Sequence, residues 1–158
     1  MNITLCFIKE TYFKENNAYM KMLDPNQANK QSKRTHLCIK IKKEKNTFLI
    51  PLRNNLGADL RKYGRIGHSI PSTKRKNAGL DYRYTLVIND EKYLELQNEK
   101  KIPESQYRKL EYDYYAIEKE FETYLNGYIK AAKKKRNEKE PLFKESSLIN
   151  FHKELGVQ

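Results

Sequence analysis

The sequence predicts an α+β fold: a small antiparallel sheet, one long packing helix, and shorter helices near the start and the end. Three observations lead there. His36–Lys43 alternates apolar and polar residues, and Lys45-Asn46 makes a turn into a second strand-like run, Thr47–Leu52, so the two read as a hairpin. Tyr107, Leu110, Tyr114, Ile117, Phe121, Tyr124 and Tyr128 recur at alternating steps of three and four, which is one helical stripe. The chain has 158 residues, enough for a single domain, 1–158, with a real core.

Taken in order, Ile3–Ile8 is β-branched and aromatic enough for a first strand. Tyr12–Leu23 then places apolar side chains at helical spacing, and Asp24-Pro25-Asn26 stops it, because the residue before proline is pushed out of the α region. The polar loop that follows delivers Lys30, Lys33 and Arg34 to the next strand. There Leu37, Ile39 and Ile41 occupy one face, with His36, Cys38, Lys40 and Lys42 on the other. Beyond Leu52 the chain enters a long polar excursion and returns to a strand at Tyr84–Ile88. Asn89-Asp90-Glu91 reads as a turn or a helix cap. Pro103 opens the long helix, which runs to about Lys134 and uses its tyrosine stripe for packing on the sheet, not for stacking bases. Asn137–Pro141 breaks the chain, and Ser146 or Ser147 caps a last helix, Leu148–Leu155, that Gly156 ends.

The formal charge is +12 and the sequence pI about 9.5, a balance that favours nucleic acid or an anionic surface as partner. No apolar run reaches the roughly 18–20 residues of a membrane span, and the N-terminus has no export signal, so a cytoplasmic protein is expected. Cys6 and Cys38 sit in apolar runs and read as buried free thiols. They and the three histidines, His36, His68 and His152, have no metal-ligand spacing, and no cofactor motif is present.

The excursion between the strands is the candidate active surface. From Arg53 to Gly79 it carries seven Lys/Arg (Arg53, Arg61, Lys62, Arg65, Lys74, Arg75 and Lys76) against one acid, Asp59. Long loops in small domains are usually functional, and this one suits a polyanion. Cations, amides and hydroxyls (Arg34, Arg53, Asn54, Ser72, Thr73 and Lys74, with Tyr12) are what RNA cleavage without metal requires. The ribose 2′-OH attacks its own phosphate, so the protein needs in-line positioning, proton transfer and stabilisation of the phosphorane charge. His68 is a candidate base by its near-neutral titration, and His36 a candidate ribose contact. Lys130, Lys133 and Lys134 have two readings, a solvated end that complements the helix dipole or a phosphate clamp. Asp81 either holds Arg53 or caps the turn before the next strand.

Ser32-Lys33-Arg34-Thr35-His36 leading into a strand, then Ile50-Pro51-Leu52-Arg53-Asn54, then Gly79-Leu80-Asp81-Tyr82-Arg83 before an apolar strand, then a long helix just after Pro103, form an ordered set. In that order and at that length, spanning nearly the whole chain, it resembles the toxins of type III toxin–antitoxin systems, the ToxN/AbiQ superfamily, and most of all its CptN/TenpN branch. The resemblance implies a compact, strongly curved antiparallel core similar to the Kid/MazF toxins. It also implies metal-independent endoribonuclease activity, held in check by a small repetitive RNA, folded as pseudoknots in a closed toxin–RNA assembly, with no protein antitoxin. Free toxin of such a family cleaves cellular RNA and can abort phage infection. Tyr12 matches the family's early aromatic, Arg34 its basic residue before the second strand, Arg53 and Asn54 the Pro-Leu turn, and Asp81 the Gly-Leu-Asp motif. The ToxN branch has Thr-Ser where Arg53-Asn54 stand, which makes Ser72, Thr73 and Lys74 the substitutes here. Lys30, Lys33, His36, Arg61, Lys62, Arg65, His68, Arg75, Lys76, Arg83, Lys130, Lys133 and Lys134 complete the expected RNA contacts. The competing expectation is a basic RNA- or DNA-binding protein without catalysis.

Overall fold

The computed structural model of the protein describes residues 3–22, 37–57, 60, 65–96 and 102–157. Its sheet grows from the hairpin of β2 (Leu37–Lys43) and β3 (Asn46–Arg53), joined by a two-residue turn in which Glu44 takes φ 55°. β1 (Leu5–Ile8) lies on the far side of β2, and β7 (Leu94–Leu96) on the far side of β1. Beyond β3 come β5 (Gly79–Asp81) and then β4 (Gly67–Ser69), a short antiparallel pair. The strand order is therefore β4-β5-β3-β2-β1-β7, every pairing is antiparallel, and the sheet is open, not closed. β6 (Leu86–Val87) also pairs β3, at Phe48 and Leu49, while β5 pairs it at Leu52 and Arg53. Pro51 stands between these two pairings, where the partner strand changes and its missing N–H leaves no ladder position empty.

Cross-strand partners share a face, so Ile39, Ile50, Ile41, Phe48 and Val87 form one side of the sheet and Cys6, Cys38, Pro51, Leu49 and Leu86 the other. Both sides are covered. α2 (Glu104–Tyr112) and α3 (Tyr114–Lys133) pack on the first, with the Phe121 ring edge-on to Phe48 at 5.1 Å. α1 (Glu10–Glu15) brings Phe13 to the second. Cys6 and Cys38 are free and buried as expected. Cys38, placed by alternation on a polar face, is inside because that face has its own cover; among its described residues only Lys42, nearer the hairpin turn, is exposed.

The tyrosine stripe serves the core: Tyr124 and Tyr128 are buried, and Tyr124, Tyr128 and Phe143 meet edge-on. The helix expected to be continuous is broken at Asp113, which has φ −90° and ψ 5°. Its carboxylate accepts hydrogen bonds from Lys109 and His68, while its backbone N–H still donates to the Lys109 carbonyl and its own carbonyl accepts from Ile117. The first helix is shorter than its apolar spacing predicts. Asn16 ends it by donating its side-chain amide to the Tyr12 carbonyl, and Lys21 is left-handed with φ 55°. Tyr84–Ile88 is strand only at Leu86–Val87, because Tyr82–Tyr84 is a 3-10 turn capped by Asp81. Asp90 caps the 3-10 turn Glu91–Tyr93, and Ser146 caps another, Ser147–Phe151, in place of the expected last helix. The expected stop at Asp24-Pro25-Asn26 lies outside the described residues.

Two predictions follow from the packing. A Cβ on Gly79 would stand 2.4 Å from both the His68 carbonyl oxygen and Leu56 Cδ1, so Gly79→Ala should cost about 1–3 kcal/mol by urea titration, as overpacking does. His152 accepts from or donates to the Tyr128 hydroxyl at 2.7 Å, and burial holds its imidazole below the usual value. A depressed value favours the neutral ring in the folded state, so this contribution is present above about pH 6.5, the ordinary imidazole value. It is lost as pH falls through the lower folded value. His152→Gln should flatten the acid side of the stability curve; an unchanged pH dependence would show that another group sets it.

Candidate functional site

The two motifs that stood apart in sequence meet through the pairing of β3 with β5, in which Leu52 faces Leu80 and Arg53 faces Gly79. Glycine is required there by the close approach of β4, whose His68 carbonyl lies directly over Gly79. Two residues further on, Asp81 is wholly buried and is the centre of the site. Its Oδ2 accepts from Arg53 Nη1 at 2.9 Å and from Arg83 Nη2 at 2.9 Å. Its Oδ1 accepts from Arg83 Nε and from the Arg83 backbone N–H, both at 3.0 Å. The two alternatives read for Asp81 are thus both realised: it holds Arg53, and it caps the following turn. Both guanidiniums also lie by the Tyr84 ring, Arg53 at 5.2 Å and Arg83 at 5.5 Å from its centre.

The two arginines are not equivalent. Arg83 is buried and doubly bonded to Asp81, so its expected place among the RNA contacts is corrected to a structural one. Arg53 gives one N–H to the carboxylate and keeps 29 % of its side chain in solvent. Two guanidiniums meet the one buried carboxylate, and Arg53 is the member of the trio that reaches solvent.

The chain between β4 and β5 leaves the sheet beside Arg53, since Gly79 is both the first residue of β5 and the partner of Arg53. Ser72 closes this loop: its Oγ accepts from the Arg75 N–H at 3.1 Å, and its own N–H donates to the Arg75 carbonyl. Ser72 is therefore a turn former with its hydroxyl engaged, while Thr73, Lys74, Arg75 and Lys76 ride exposed on the loop. Asn54 follows Arg53 and is exposed, and Arg65 is exposed just before β4.

His68 and Tyr12 are not where catalysis would need them. His68 Nδ1 is 2.9 Å from Glu120 Oε1 and Nε2 is 2.8 Å from Asp113 Oδ2. Both ring nitrogens are therefore occupied by carboxylates, and two acids facing the ring disfavour a phosphate. Its observed role is to tie β4 to the α2–α3 junction, which the Tyr82 hydroxyl reinforces by donating to Glu120. Burial pushes the Asp113 carboxyl upward, but the hydrogen bonds from His68 and Lys109 together hold it below the usual carboxylate value. Tyr12 is buried among the rings of Phe13, Tyr19 and Tyr93, and its hydroxyl has no hydrogen-bond partner among the described residues. Burial raises its phenol far above the ordinary value, which removes it as a proton donor to solvent-borne RNA.

Lys130, Lys133 and Lys134 are exposed at the C-terminal end of α3, where their charge meets the helix dipole. Lys30, Lys33, Arg34, His36, Arg61 and Lys62 lie outside the described residues. Among the described residues no group of three or more His, Cys, Asp or Glu is placed to hold a metal ion, and no helix is long and apolar enough to cross a membrane. Sequence reasoning missed Tyr84, whose one signal was its place between Arg83 and the strand; that Arg53 also meets its ring comes only from the fold. No protein-family model, curated protein or solved structure matches the chain.

Removing one member of a buried ion pair costs about 3–5 kcal/mol because it strands the other charge. Asp81→Ala should lose stability on that scale in urea, and Arg53→Ala only about 1 kcal/mol, as for a pair open to solvent. Equal losses would mean that Arg53, not Arg83, is the chief partner of Asp81.

Proposed function

We propose that the chain is the endoribonuclease toxin of a type III toxin–antitoxin system, acting in the cytoplasm on cellular RNA without a metal ion or cofactor. Its inhibitor in this reading is a small repetitive RNA, cut by the toxin into pseudoknot repeats and held with it in a closed assembly, with no protein antitoxin. The Kid/MazF-like character of the sheet belongs to the same reading. What supports it is one observation above the rest: the Pro51-Leu52-Arg53-Asn54 stretch, which ends β3 where a turn was expected, and the Gly79-Leu80-Asp81 strand, which together carry the family resemblance, are paired neighbours with Arg53 at their partly exposed end.

The chemistry assigns roles as follows. A phosphate diester lies against Arg53, whose permanently charged guanidinium stabilises the extra negative charge of the phosphorane. Thr73 and Lys74 supply a hydroxyl and an ammonium from the loop beside it, and Asn54 an amide. The 2′-oxygen forms a bond to phosphorus as the bond to the 5′-oxygen breaks. The 2′ proton passes to a base, and an acid protonates the departing oxygen. The products are a 2′,3′-cyclic phosphate and a 5′-OH.

Purified protein incubated with RNA in EDTA should produce those ends. Arg53→Ala and Lys74→Ala should each lower cleavage by about 10²–10³-fold, the usual cost of losing a charge-stabilising group, with a smaller loss of RNA binding. Intact RNA despite tight, salt-sensitive binding would assign the chain to the noncatalytic binding proteins instead, and 5′-phosphate ends would contradict the mechanism.

A further inference from the structure

The outward side of the α2–α3 junction carries an aromatic pair that the fold does not use. Tyr112, the last residue of α2, is 91 % exposed, and Tyr115, in the first turn of α3, is 69 % exposed. Tyr82, Tyr124 and Tyr128, by contrast, are buried. The pair has cations on both sides: Arg108, Tyr112, Tyr115 and Lys119 follow one another at steps of four, three and four, and Arg108 and Lys119 are exposed. Acids share this side of the helices: Glu104 reaches Arg108 at 3.3 Å as an exposed i,i+4 pair, which solvent screens, and Glu111 beside Tyr112 and Glu118 beside Lys119 carry their charge next to the pair. On the inward side the intervening Asp113 is bonded to His68 of β4, so the junction is fastened to the same hairpin that presents Lys74.

We infer that Tyr112 and Tyr115 form a stacking platform for unpaired bases of RNA, with Arg108 and Lys119 meeting the backbone phosphates at its two ends. The inference rests on the reading of the chain as an RNA-binding protein and adds a contact on the helical layer to the one on the sheet. Exposed aromatic faces between cations fit single strands, because a flat ring accepts any base while the cations follow the backbone. In a duplex the bases already stack on one another and present no face to a side chain.

The test uses a 2′-O-methyl RNA of about a dozen nucleotides, which has no 2′-OH to attack, and a duplex of the same length, read by fluorescence anisotropy. Tyr112→Ala with Tyr115→Ala should weaken single-strand binding about tenfold or more, the scale of one lost stacking contact, and leave duplex binding unchanged. The salt slope should stay the same, since no cation is removed. Tyr112→Phe with Tyr115→Phe should bind as the wild type does. The chain contains no Trp, so Y115W introduces a single indole, and its fluorescence should be quenched by the single strand. Wild-type affinity in the double alanine variant overturns the inference while the RNA reading stands, and so does an equal loss for single strand and duplex. Loss of self-association in sedimentation, with RNA affinity unchanged, assigns the pair to a protein interface and overturns it too. Absence of any RNA binding by the wild type overturns the RNA reading and the platform together.

Discussion

The buried carboxylate of Asp81 is the constraint on which the rest of this structure depends. A charge with no solvent contact is tolerated only if it is paired and its lone pairs are satisfied. Here two guanidiniums and a backbone N–H do so, and each comes from a different requirement of the fold. Arg83 follows two residues later, so its turn is closed by the same carboxylate it neutralises. Arg53 arrives from β3 across the sheet, which requires β5 to pair at Leu52 and Arg53 and not further along. Pro51 helps to set that limit, since it cannot donate to a neighbouring strand.

That arrangement sorts the chain's cations by accessibility. Arg83 is consumed internally. Lys43 is paired with Glu122 and Lys109 with Asp113. Thr73–Lys76 and the lysines at the end of α3 remain exposed, with Arg53 between the buried and the open classes. A net charge of +12 therefore describes the surface better than the interior.

The hairpin and the packing role of the tyrosine stripe were legible in the sequence because each rests on periodicity over many residues. The rest depended on single side chains. Nothing in the stripe from Tyr107 to Tyr128 marks a break at Asp113, because the apolar spacing runs straight through it; Asp113 there accepts from His68, 45 residues away. β4 and β5 are three residues each, too short for alternation to register, and the excursion read as one loop is in part a hairpin. Tyr12 and Arg83 looked functional by type and proved buried, since the sequence does not reveal which polar residues a neighbour will cover. The expectation that Asp81 holds Arg53 or caps a turn could be drawn in advance, because carboxylate, arginine and turn chemistry are local and few in number.

The most direct measurement is a structure of the protein with a short RNA whose scissile ribose lacks its 2′-OH. The account predicts a phosphate oxygen about 3 Å from the Arg53 guanidinium, the length of a charge-assisted hydrogen bond, with the bond from Arg53 to Asp81 retained and the Lys74 loop folded over the same phosphate. Nucleotides bound solely along the lysines that end α3, with Arg53 turned to Asp81 and nothing else, would contradict it.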